Sequence, residues 1–181
     1  EELNFKRVNS LGESKFGWTE EIATFVAVDG TLNTSTIDAT DVYGGTASAS
    51  GVFSGYVAAA AFDNTLDALG WAYNNNNVWP QWLAWEFPNP VAINKAILTN
   101  RAEADTNNRS LNTYYFEASN DGITWVTLSD TFTNTINTNN YVHPNTTWIN
   151  STPYKHYRVF IENGLDTTYV GVGELALVEA Q

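Results

Sequence analysis

The sequence predicts an all-β fold, a sandwich or barrel of antiparallel strands. Three observations carry that expectation. Charged residues make up only 15% of the 181 residues while aromatics reach 14%, and the chain holds 22 Asn and 22 Thr. Thr, Tyr, Trp and Val favour strands, whereas Asn and Gly favour turns. Short runs of alternating apolar residues recur along the chain, and Pro, Asn and Gly turn signals bound them. A helical bundle would need more Leu, Glu, Lys and Ala.

Taken in order, Tyr56 to Phe62 (YVAAAAF) is the one helical hint, at most two turns long. Trp82 to Phe87 reads as a strand between Pro80 and a turn at Pro88-Asn89-Pro90, and Ala92 to Thr99 follows. Tyr114 to Ser119 runs into Asn120-Asp121-Gly122, a strong turn signal, and Trp125 to Leu128 completes the hairpin. Tyr157 to Ile161 ends at Asn163-Gly164, and Val170 to Val178 closes the chain. Asn134 to Asn150 reads as a long loop with one strand near Thr147-Trp148-Ile149, and the Asn run at 74–77 as another loop. No Pro- or Ser-rich linker divides the chain. Residues 1–50 read as an N-terminal extension or added strands, and 51–181 as the main domain. A faint echo joins FKRVNSLG…FGWTEEIATFVAVD near the start to YRVFIENG…YVGVGELALVEA near the end, as if residues 1–30 were a matching hairpin.

Composition also excludes function classes. With 20 acidic and 8 basic residues the net charge is -12, too few cations to displace counterions from a nucleic acid. Cysteine is absent, which removes disulfides, thiolate metal sites and a thiol nucleophile. No apolar run approaches the ~18 residues of a membrane helix, and no signal-peptide pattern is present. Without any Met, the chain reads as a processed or excised piece. His143 and His156 stand alone, and no GxSxG, HExxH or Walker loop occurs, so no enzyme activity is expected. Asn33, Asn108, Asn145 and Asn150 head glycosylation sequons, which a chain so rich in Asn and Thr produces by chance.

Five pieces in one order resemble the discoidin domains, also called coagulation factor V/VIII type C domains. These are AAAFDNTLDALGW, PQWLAWEF, INKAILTNR, LNTYYFEASNDGITWVTL, and YKHYRVFIENG with VGVGELALV. The resemblance covers roughly residues 58–179. It implies a galactose-binding-like jelly-roll β-sandwich. The polar loops and GGTASAS are similar to versions in bacteriophage tail or capsid-fibre proteins.

The resemblance also implies two sites. One is a structural calcium between the loop Phe62, Asp63, Thr65, Asp67, Ala68 and the Glu174 of the last strand. A hard cation takes six to eight oxygens, with carbonyls joining carboxylates. On the competing reading, Asp63 and Asp67 are turn residues that accept local backbone hydrogen bonds. The other is a ligand surface on the loops at one end of the sandwich. Tyr73, Trp79 and Tyr169 are its stacking candidates, because flat rings cover the C–H face of a pyranose. Asn75, Arg101, Glu103, Asp105 and Arg109 are its hydrogen-bonding candidates. Trp71, Trp82 and Trp85 are expected mostly in the core.

The expected function is a non-catalytic carbohydrate-binding adhesion module. It would act outside the cell or on a virion surface, with a glycan or polysaccharide as partner. The second reading is a structural assembly or decoration module of a phage particle, oligomeric and bound to other virion proteins. Neither reading involves nucleic acid or membrane insertion.

Overall fold

In the computed structural model, which describes residues 37–66, 70–74, 76–102, 109–144, 146–166 and 168–179, the alternating runs form antiparallel strands. The chain order is α1 (Ala39–Tyr43), β1 (Thr46–Ala49), a 3₁₀ turn (Ala58–Ala61), β2 (Trp71–Asn74), β3 (Gln81–Val91), β4 (Ile93–Thr99), β5 (Leu111–Ser119), β6 (Val126–Thr127), β7 (Phe132–Thr133), β8 (Tyr154–Gly164), β9 (Tyr169–Val172) and β10 (Glu174–Glu179). The expected all-β sandwich is therefore present.

The large sheet runs β1-β3-β8-β5-β6, with β7 also on β5. Register follows the alternation. Tyr157, Val159 and Ile161 of β8 are buried, and so are Tyr114, Phe116 and Ala118 of β5 opposite them. The second layer is β10 on β4, in register from Glu174↔Thr99. Residues 141–144 and 146–148 extend this layer without becoming a regular strand. Ala96 N donates to Thr146 O, His143 N to Leu98 O and Asn100 N to Tyr141 O. Trp148 indole N–H donates to Ile93 O at 2.9 Å, and its ring stacks on Phe116 at 4.8 Å, joining the two layers in one core.

Several boundaries differ from the sequence reading. The YVAAAAF hint is a single 3₁₀ turn, as its length allowed. α1 had no apolar period to announce it; Asp38 caps it, accepting from Thr40 N and Thr40 Oγ1. β3 continues through Pro88-Asn89-Pro90 to Val91, with irregular pairing there, because Tyr157 hydroxyl donates to Val91 O and accepts from Ile93 N. The run Val170 to Val178 divides at Gly173 into β9 and β10, which belong to different sheets. Ile37–Gln181 make one compact unit, so α1 and β1 share it with the strands that follow. The echoed hairpin in residues 1–30 lies outside the described residues.

The SNDG turn forms through side chains. Asp121 Oδ1 accepts from Ile123 N at 2.8 Å and Thr124 N at 2.7 Å, and Ser119 Oγ accepts from Gly122 N at 2.9 Å. These bonds hold the Asp121 carboxyl at about 2, below its ordinary 3.8. Gly122 adopts φ +71°, and a Cβ there would meet only the His156 ring, no closer than 3.6 Å. Gly122→Ala should therefore lose only backbone strain, about 1 kcal/mol in a denaturant titration.

Candidate functional site

One end of the sandwich gathers cations and aromatic rings. β2 and β9 pair antiparallel, with Tyr73↔Val170 and Asn74↔Tyr169. The turn Phe53 to Tyr56 closes on this pair: Phe53 N donates to Ala72 O and Ala72 N to Tyr56 O. The Phe53 ring then meets Tyr169 edge-on at 5.2 Å and stacks with Tyr56 at 6.2 Å. The Arg109 guanidinium lies 4.4 Å from the centre of the Tyr169 ring, and that of Arg101 lies 4.4 Å from the Tyr56 ring. Gly171 N donates to Arg109 O, which fixes Arg109 against β9.

Of the eight Lys and Arg, Lys6, Arg7 and Lys15 lie outside the described residues. Two of the remaining five converge here, against the sign of a chain with net charge -12. They differ in access. Arg101 is buried at 1% exposure, whereas Arg109 is half-buried. Among the described residues no acceptor meets the buried Nε of Arg109.

The sequence-selected residues divide accordingly. Arg101, Arg109 and Tyr169 come together. Tyr73 shares the β2–β9 pair, but Gly51 covers part of its ring so closely that a Cβ there would lie 2.2 Å from it. Trp79 packs against the core beside Gly164 and Ser110. Asn75, Glu103 and Asp105 lie outside the described residues. Phe53 and Tyr56 were missed, because their turn carries no strand period; the pair of aromatics around Ser54-Gly55 was the available signal.

Around the proposed calcium ligands, Glu174 is buried at 8% exposure, and its Oε2 meets no hydrogen-bond donor among the described residues. Burial pushes its carboxyl up to about 7 from 4.5, with the charges of Asp63 and Asp38 adding to it and the backbone N–H groups of Leu175 and Asn64 opposing. Asp63 is exposed and forms the local turn, accepting from Thr65 N at 3.0 Å and Thr65 Oγ1 at 2.8 Å. The Phe62 side chain belongs to the core, 4.8 Å from Trp85, so only its backbone could serve an ion. Asp67 and Ala68 lie outside the described residues, and no three carboxylates or imidazoles cluster as ligands among the described ones. A buried, electrostatically crowded carboxylate with an orphaned oxygen suits a cation completed by backbone carbonyls.

Both histidines have structural surroundings. His143 is buried between Tyr114 and Asn100, at 2.7 and 2.8 Å. His156 lies on the outer face of β8 beside Trp125, at 6.4 Å between ring centres. Of the expected core tryptophans, Trp71 is fully buried and Trp85 packs on the core, whereas Trp82 lies on the outward face of β3 and is partly exposed.

No curated protein matches the chain. Among solved structures it is similar to chitosan-binding module 1 of a Paenibacillus sp. IK-5 chitosanase/glucanase, at 23% identity over 74% of this chain and 93% of that one, with a TM-score of 0.59. A Clostridium perfringens CBM32 protein in complex with GalNAc-beta-1,3-galactose matches at 20% identity over 74% and 94%, TM-score 0.60. The F5/8 type C domain of a Bacteroides fragilis protein matches at 19% identity over 81% and 97%, TM-score 0.58. These likenesses establish the galactose-binding-like fold. The family model for the F5/8 type C domain matches residues 45–168, more than half of the chain, so this chain belongs to the F5/8 type C, or discoidin, family.

Proposed function

We propose that the chain is a non-catalytic carbohydrate-binding module that acts outside the cell. The observation that carries this reading is the Arg109–Tyr169 pair. A half-buried guanidinium held on a tyrosine ring places a planar donor group beside an aromatic side chain. A pyranose needs both: a flat ring under its C–H face and a planar donor for its hydroxyls. Phe53 meets the Tyr169 ring edge-on, and Tyr56 in turn stacks on Phe53. That three similar structures carry chitosan, a GalNAc-galactose disaccharide and an unsaturated mannuronic acid in their names supports the ligand class.

A structural calcium ion belongs to the same proposal. Glu174 and Asp63 would hold it, with Asp67, the Thr65 hydroxyl and the carbonyls of Phe62 and Ala68. Its positive charge would keep the Glu174 carboxylate ionised while buried.

A glycan array followed by titration calorimetry, with calcium present, tests the site. Tyr169→Ala and Arg109→Ala should each weaken the best glycan about tenfold or more, with the melting temperature within a few degrees of the parent. If no glycan binds, or if both variants bind as the parent does, the reading fails.

A further inference from the structure

The outward face of the large sheet breaks the usual rule of polar residues toward water. β3, β8 and β5 are neighbours, and their registers place Trp82 opposite Phe160 and Phe160 opposite Tyr115. Three partly exposed aromatic side chains thus form one lateral row across three strands. Tyr115 and Phe160 lie nearly parallel, 5.1 Å apart at 32°. The next row holds the Arg158 guanidinium, 3.9 Å from the Trp125 ring centre and 4.9 Å from that of Phe160. Glu117 fixes it, accepting from Arg158 Nε at 2.9 Å and lying 2.8 Å from its NH2 nitrogen. The rings are therefore held from beneath by the strands and from one side by a layer of packed, charge-balanced groups.

We propose that this row is a second glycan-binding surface, for an extended, uncharged polysaccharide with β-1,4 linkages. Adjacent strands lie about 4.8 Å apart, close to the length of one pyranose unit, so successive rings of a linear chain meet successive aromatics. Charge selects an uncharged chain. Glu117 already occupies the Arg158 charge, the exposed Glu162 follows on β8, and the whole chain carries -12, so a polyanion is repelled. A protein partner would have to bury the exposed Glu162 carboxylate beside the row, whereas a sugar chain leaves it wet and offers it hydroxyls. The row is distinct from the loop site and shares with it only the ligand class.

The experiment uses the full chain and two probes, the uncharged β-1,4-linked hexasaccharides of glucose and of N-acetylglucosamine, in calorimetry and amide-shift mapping. Shifts are expected along β3, β5 and β8. Phe160→Thr and Tyr115→Thr, which keep β-favouring residues, should weaken the better hexasaccharide at least fivefold. Phe160→Tyr keeps a ring and should stay within twofold of the parent. Absence of hexasaccharide binding, shifts confined to residues 53–56, 109 and 169, or row variants that bind as the parent does would each overturn the proposal. So would a dimer in sedimentation that Phe160→Thr dissociates, which would assign the row to a second copy. A loop-site failure reads differently: Tyr169→Ala would then leave every array ligand unaffected.

Discussion

Acidification from pH 6.5 to 4 is expected to cost the fold about 3 kcal/mol through His143 alone. The hydrogen bonds determine its protonation. Asn100 Nδ2 donates to Ile136 O and Thr138 O, so Asn100 Oδ1 is an acceptor and His143 Nε2 carries the proton. Nδ1 then accepts from the Tyr114 hydroxyl, which burial keeps protonated. Tyr141 packs beside the imidazole, with its ring centre 5.6 Å away. Nothing in this set stabilises an imidazolium, and burial lowers the His143 pKa from 6.5 to about 4. The unfolded chain therefore takes up a proton first. The contribution is complete above pH 6.5 and is lost as pH falls through 4. His143→Gln should be less stable at pH 7 through its broken network, but free of this loss. Denaturant titrations from pH 7.5 to 3.5 on both proteins read the difference, and parallel pH profiles would contradict it.

Glu174 acts with the opposite sign. Its folded pKa, about 7, lies above the ordinary 4.5, so the folded state gains a proton first as pH falls. Stability from this group is complete below pH 4.5 and lost as pH rises through 7. Above pH 7 the ionised, buried carboxylate destabilises the metal-free protein by about 2 kcal/mol, after allowance for screening around the exposed Asp63. The two groups offset each other between pH 6.5 and 4.5, so the parent protein should look nearly pH-insensitive there. Glu174→Gln should uncover the full His143 loss. The same variant should stabilise the metal-free chain at pH 8 by about 2 kcal/mol and abolish any rise in melting temperature with added calcium. A destabilised Glu174→Gln at pH 8 without calcium, or one that calcium still stabilises, would contradict this account.

Strand existence was legible in the sequence wherever alternation met a turn signal. YRVFI, YYFEAS and the SNDG turn appear where their residues place them, because burial alternates with the pleat and Asp121 closes its own turn. Where a strand met the rest of the molecule, the local pattern carried less. VGVGELALV is one apolar run in sequence and two strands in space. Trp82 looked like core because a tryptophan among apolar neighbours gives no sign of facing outward until the register with Phe160 is known. The candidate site was legible through Arg109 and Tyr169, two of the selected residues that the fold brings together. Phe53 and Tyr56 were not, because they reach the cluster through a turn hydrogen-bonded to β2, a long-range contact that local periodicity cannot express.

Amide-shift mapping of the ¹⁵N-labelled chain with the best array glycan, in the presence of calcium, tests glycan recognition at the loop end most directly. The expected result is a saturable set of shifts centred on Arg109, Tyr169 and the Phe53 to Tyr56 turn, lost in Arg109→Ala. Saturable binding that leaves those amides unmoved, or no binding by any glycan on the array, would contradict it.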